Sequence, residues 1–236
     1  MLLTLSEITK LCEANPAPLL LLDTCTFLDI IRVPYRENIQ VNIIKAAMAL
    51  ISRYQSNPPN HIWLVSCDIV RAEWESNASE VRKELKIYIQ KHQQSGIKFG
   101  DIIEKTRPGV IYSQPDLISF SLEEHLYNLS KNMLDSTLKI ADDDNCLVRA
   151  TKRVRMNQAP ASNSKSEPKD CMIIEHYLAI CQRLRKIGFS EKCIFVSSNI
   201  NDYGKPPHNI YKPLDTQFND LDMKFVTDLS WAMSMI

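Results

Sequence analysis

Four acids in this chain fall where a single sheet edge could gather them. Asp23 closes the apolar run Pro18 to Leu22, and Glu73 lies in the opening turns of the helix that follows the run Ile62 to Val65. Asp170 sits in the first turn of a helix opened by Pro168, and Asp202 follows the run Cys193 to Ser197 by way of Ser198, Asn199, Ile200 and Asn201. In an open parallel sheet, ligands bind beyond the carboxyl ends of the strands, so these four positions converge. Crowded carboxylates repel one another and resist ionisation unless a cation holds them. Oxygen donors with no His or Cys among them suit Mg²⁺ or Mn²⁺. Such an ion activates water and stabilises the charge that develops when a phosphodiester is cleaved, so the residues read as a metal-dependent nuclease site. Each acid also has a plainer explanation. Asp after a strand caps helices and makes turns, and Asp170 complements a helix dipole. Their shared location, rather than any one of them, selects the chemistry.

Glu73 competes with Glu75 for its place. Each helical residue advances about 100°. With Val70 as zero, Trp74, Val81, Leu85 and Tyr88 fall between about 0° and 60°, Glu73 at about −60° and Glu75 at about 140°. Glu73 is therefore nearer the buried seam, and Glu75 is held in reserve.

The densest basic segment is Arg149, Lys152, Arg153 and Arg155, with Lys165 and Lys169 beyond. Arg149, Arg153 and Lys165 are the expected phosphate contacts beside Asp170. The competing reading is a solvated helix face that balances Asp142, Asp143 and Asp144, which themselves read as a helix N-terminal cap cluster. Glu175, about 140° round the helix from Asp170, is expected to pair with a neighbour. His176 reads as a partly buried helix residue and Cys25 as a small core residue. Trp63, Trp74 and Trp231 read as core.

Short apolar strands at 18–22, 62–65, 193–197 and 224–226 alternate with helices, which predicts an α/β sandwich around a mainly parallel sheet. The helices are expected at Glu37 to Tyr54, stopped by Asn57-Pro58-Pro59; from Asp68 to Gln94, ended by Gly96; at Ser119 to Ile140; at Ala141 to Met156; at Pro168 to Lys186; and at Asp228 to Met235. Residues 97–117 read as a loop. The polar stretch Asn157 to Ser166 is expected to be mobile or ordered by ligand. No linker divides the chain, so 1–236 is expected to form one domain, with 75–165 a helical elaboration within it.

Composition removes other classes. Lys plus Arg and Asp plus Glu are both 28, which excludes a generally basic nucleic-acid coat. Five glycines, none in a G-x-G pair, exclude dinucleotide and P-loop sites. No apolar run approaches a membrane span, and Met1 to Glu7 does not read as a secretory signal. Seven scattered cysteines without a C-x-x-C fit reduced thiols and a cytoplasmic setting. No H-x-x-x-H occurs, so a zincin is excluded.

The order of motifs resembles the PIN-like nuclease family. It is carried by Leu20-Leu21-Leu22-Asp23-Thr24, Arg71-Ala72-Glu73-Trp74, Lys169-Asp170-Cys171 and Ser198-Asn199-Ile200-Asn201-Asp202-Tyr203. Arg149-Ala150-x-x-Arg153, Pro160 and Ser166-x-x-x-Asp170 are similar to a larger, less studied branch. Ser198 stands where Thr is common, and Tyr203 replaces Phe. The resemblance implies a three-layer α/β sandwich and a Mg²⁺- or Mn²⁺-dependent ribonuclease. Asp23, Glu73, Asp170 and Asp202 would bind metal, and Ser198 or Asn199, counted with the substrate-binding residues, would orient Asp202 or a ligand water. RNA is the implied partner, with single-stranded or structured DNA as the alternative. A homodimer or an inhibitory protein partner is also open. The non-enzymatic alternative is a PIN-like module that binds RNA or protein, its acids serving as caps.

Overall fold

The computed structural model describes residues 2–56, 62–161 and 168–236. Six parallel strands form the central sheet in the order β1 (Leu2–Leu3), β4 (Leu138–Ile140), β3 (Trp63–Cys67), β2 (Leu19–Leu22), β5 (Cys193–Val196) and β8 (Met223–Val226). Helices cover the sheet: α1 (Leu5–Ala14), α2 (Thr24–Arg32), α3 (Asn42–Gln55), α4 (Asp68–Thr106), α5 (Leu122–Asp135), α6 (Asp144–Arg155), α7 (Pro168–Lys186), α9 (Leu214–Asp220) and α10 (Leu229–Ser234). A one-turn helix α8 (Ile200–Tyr203) leads into a small hairpin, β6 (Gly204–Lys205) and β7 (Asn209–Ile210). This is the three-layer α/β sandwich expected from the sequence. Among the described residues no helix is long and apolar enough to cross a membrane. All seven cysteines are free.

β2 lies mid-sheet, paired with β3 on one side and β5 on the other. Its four leucines are wholly buried, which is why the run carries no polar alternation. The central position brings the residue after Leu22 to the middle of the carboxyl edge. α2 packs against α4 and α5, and α7 packs against α1 and α6. Glu73 and Asp170 are thereby held on helices that flank the sheet.

Three expectations about elements are corrected. The helix opened at Asp68 does not stop at Gly96 but runs 39 residues to Thr106. Its glycines serve close packing rather than termination. A Cβ at Gly96 would lie 1.7 Å from the Gln114 Oε1 atom, and one at Gly100 would lie 2.8 Å from the Tyr112 ring. The chain returning after the helix lies against those two positions. Residues 97–106, expected as loop, are accordingly helical. The segment Ser119 to Ile140 is not one helix: α5 ends at Asp135, and Leu138–Ile140 joins the sheet beside β3. Residues 75–165 thus supply a strand as well as helices. The stop at Asn57-Pro58-Pro59 and the second half of the polar stretch Asn157 to Ser166, residues 162–166, lie outside the described residues.

Candidate active site

Asp23 sits at the end of β2 and caps α2, accepting the Thr24 N–H at 2.7 Å. It is 3% exposed. Its Oδ2 accepts the Ser197 hydroxyl at 2.6 Å and the Cys25 thiol at 3.2 Å. Burial pushes its carboxyl above the ordinary Asp value. The hydrogen bonds from Ser197, Cys25 and Thr24 oppose that rise, and the charge of Glu73 adds to it. Cys25 is not the plain core residue expected. It is partly exposed, and its sulfur also accepts the Ser198 N–H at 3.1 Å. Burial, followed by the charges of Asp23 and Asp29, holds its thiol well above the usual range.

Glu73 accepts the Thr24 hydroxyl at 2.6 Å, so the first two acids meet across one residue. Lys169 reaches the other oxygen of Glu73 at 3.6 Å, joining the start of α7 to α4. Glu75, by contrast, is 55% exposed and pairs with Arg71 at 2.8 Å. The helical wheel therefore read the two faces as the structure has them.

Asp170 and Asp202 meet across Asn199. Its amide donates to the Asp202 Oδ2 at 2.7 Å and reaches the Asp170 Oδ2 at 3.4 Å. Ser198 does not share that task. Its hydroxyl donates to Asp29 at 2.5 Å, because its side chain leaves the strand end on the other side. Tyr203 packs edge-on against Phe195, with ring centroids 4.9 Å apart. It is fully buried, and its hydroxyl has no hydrogen-bond partner among the described residues. Burial and then the charges of Asp23 and Asp170 keep that hydroxyl well above the usual Tyr value.

The basic segment is built differently from expectation. Arg153 is 2% exposed, so it has no free face for a substrate phosphate. Its guanidinium donates to Glu175 at 3.0 and 2.6 Å, to the Ala159 carbonyl at 2.6 Å and to Gln217 at 2.9 Å. Arg149 is partly open and donates through Nε to the second oxygen of Glu175 at 2.8 Å. Glu175 is thus the neighbour-paired acid the sequence suggested. Lys165 lies outside the described residues. His176 is completely buried rather than partly so, accepting the Asp143 N–H at Nε2 while Nδ1 meets the Met172 carbonyl. Asp143 caps α6 as expected.

Ser197 and Asp29 were not singled out from the sequence, and Thr24, Lys169 and Tyr203 were named there only as members of the motifs and of the basic segment, without the contacts they make. Ser197 was read only as the end of a strand, and its position immediately before Ser198-Asn199 was the available signal. Nothing local marks Asp29, whose partner lies 169 residues away.

Residues 20–203 match the family model described as a PIN domain. The chain belongs to the PIN domain family. PIN domains are generally metal-dependent nucleases that act on nucleic acids, usually with divalent ions such as Mg²⁺ or Mn²⁺. The matched span of this PIN domain runs from β2 to Tyr203 and so includes all four acids. No curated protein and no solved structure matches the chain. Among the described residues, no group of three or more His, Cys, Asp or Glu side chains is gathered closely enough to hold a metal ion. The donor chemistry nevertheless suits a hard divalent cation: four carboxylates reach one edge, and the buried one among them is held up in pKa by its surroundings. The positive ends of Lys169 and of the Asn199 amide lie against three of the four.

Proposed function

We propose that this PIN domain is a ribonuclease that hydrolyses RNA phosphodiester bonds, with Mg²⁺ or Mn²⁺ held by Asp23, Glu73, Asp170 and Asp202. The observation that carries the reading is the linkage of the acids in pairs at one sheet edge, Asp23 with Glu73 through Thr24 and Asp170 with Asp202 through Asn199. A divalent ion held by these four carboxylates would supply activation of water and neutralisation of charge on the phosphate. The chain's own residues set the stage for it. Ser197 and the Thr24 amide fix the Asp23 carboxylate, and Asn199 fixes that of Asp202. Lys169 steadies Glu73 and brings a cation beside the position of a substrate phosphate. The open part of Arg149, and Lys165, are the remaining candidates for phosphate contact.

A second reading keeps the fold and drops the catalysis: a module that binds RNA or protein, its acids serving as caps and ion-pair partners. It is favoured by the Lys169–Glu73 contact and by the lack of a three-acid cage among the described residues. Incubating the protein with labelled RNA and with labelled single-stranded DNA, in Mn²⁺ or in EDTA, separates the readings. The ribonuclease reading expects RNA fragments in Mn²⁺ alone. Intact RNA alongside cut DNA would reassign the substrate, and no cutting of either would leave the binding module.

A further inference from the structure

On the β8 side of the same edge lies a cavity of about 270 Å³. Asp29 and Ser198 line it, together with Ile39 from the segment between α2 and α3, Pro206 from the hairpin, Trp231 from α10, and the exposed Lys205. The Asp29 side chain is only 13% exposed. Its Oδ2 takes the Ser198 hydroxyl at 2.5 Å, while among the described residues Oδ1 has only the Arg32 guanidinium at 3.4 Å, the far limit of a hydrogen bond. A carboxylate accepts at both oxygens and has about four lone-pair sites, so acceptor capacity is left over.

The occupant of such a cavity must have flat apolar faces for Ile39, Pro206 and Trp231 and must bring donors along one edge. A nucleobase has that shape, and unpaired bases are read by stacking on aromatic rings and by hydrogen bonds to their edges. Among the bases, guanine presents an imino N–H and an amino group side by side, the arrangement an acceptor-only carboxylate takes best. Lys205 supplies a cation for the attached phosphate. Ser198, which lines the cavity, is the immediate chain neighbour of Asn199, which joins Asp170 to Asp202, so the cavity adjoins the acid group. We propose that this cavity is a guanine-binding subsite, read by Asp29, for the nucleotide beside the scissile phosphate. The word subsite rests on the nuclease reading; the affinity for guanine does not.

The test is binding of 5′-GMP, AMP, CMP and UMP in EDTA, followed by tryptophan fluorescence. Trp63 and Trp74 are buried at 4% and 3% exposure, so a quench reports on Trp231. GMP is expected to quench saturably and the other three to bind at least about tenfold more weakly. Asp29→Asn should weaken GMP about tenfold or more, and Ile39→Phe, which puts a larger side chain into the cavity, should abolish the quench. Circular dichroism confirms the folding of both. No quench, equal affinity for all four nucleotides, or unchanged GMP binding in folded Asp29→Asn would overturn the proposal. A second arm uses RNA oligomers with a single guanine in Mn²⁺. Cuts beside the guanine in the wild type that scatter in Asp29→Asn support the subsite. GMP binding with cuts indifferent to guanine overturns the subsite and leaves a site for free nucleotide. GMP binding with no RNA cut at all overturns the ribonuclease reading and keeps the guanine site.

Discussion

Arg153 and Glu175 form a buried charge pair across the seam between α6 and α7, the guanidinium donating at 3.0 and 2.6 Å. The same guanidinium holds the Ala159 carbonyl and Gln217, so one side chain ties α6, α7, the turn after α6 and α9 together. Asp170 lies one turn and a half before Glu175 on α7. The pair therefore helps to fix the helix on which a candidate metal ligand stands.

Breaking a buried pair by removing one partner costs about 3–5 kcal/mol when the other charge is stranded, but Arg149 stays on the second oxygen of Glu175. Arg153→Ala should therefore lose stability toward the lower end of that range by denaturant unfolding. Arg149→Ala, at a side chain 45% exposed, should lose much less. A salt-dependence slope for RNA binding that falls by about one unit in a folded Arg153→Ala protein, with stability unchanged, would restore Arg153 as a phosphate contact.

The Trp74 indole donates to the Ser130 hydroxyl at 2.8 Å, and that hydroxyl donates to the Phe27 carbonyl at 2.7 Å. This chain fastens α4 to α5 and α2, with Glu73 one residue before Trp74. Ser130→Ala leaves the buried Trp74 indole N–H without its partner, while the Phe27 carbonyl keeps its bond within α2. It should cost about 1–3 kcal/mol in thermal or denaturant unfolding. A change of a few tenths would mean that the indole finds another partner.

Asp143 at the start of α6 supplies a pH-dependent increment. Partial burial alone would raise its pKa, but the hydrogen bonds from Cys146 and Asn145 outweigh that and lower it. A carboxylate whose folded pKa is depressed stabilises the fold above its unfolded pKa, and the increment vanishes as the pH falls through the lower folded value. Asp143→Ala should therefore cost about 1 kcal/mol at neutral pH and lose its deficit in acid, below the ordinary value of 3.8. Stability curves against pH for both proteins check this, and parallel curves would contradict it.

Much of this arrangement is legible in the sequence because it is periodic or local. The short apolar run Leu19 to Leu22 reads as a strand buried on both faces, which puts Asp23 at its end. The stripe from Val70 to Tyr88 orients Glu73 inward. What the sequence conceals depends on partners far along the chain. Arg153 looks like one more cation until Glu175, 22 residues on, is seen to bury it. Gly96 looks like a terminator until Gln114 is found against it. Ser198 looks like an aide to Asp202 until its hydroxyl is found on Asp29. β4 has three residues, too few to show a period of two at the end of a helical pattern.

The two glutamates of α4 should separate cleanly. Glu73→Gln keeps the shape but removes charge from the acid group, and cleavage at limiting Mn²⁺ should fall by orders of magnitude, since ion activation of water supplies several kcal/mol. Glu75→Gln, on the exposed face, should change stability by no more than about 0.5 kcal/mol and leave cleavage near the wild type. Rates measured against Mn²⁺ concentration decide the matter. A dead Glu75→Gln beside a normal Glu73→Gln would reverse the assignment.

The central claim is that the acids at the β2 edge hold a divalent ion, and calorimetric titration of Mn²⁺ into wild type and Asp23→Asn tests it most directly. The account predicts a saturable site in the wild type, with a melting temperature that rises with Mn²⁺, and the loss of both in a folded Asp23→Asn protein. No saturable site in the wild type, or an equal site in the variant, would contradict it.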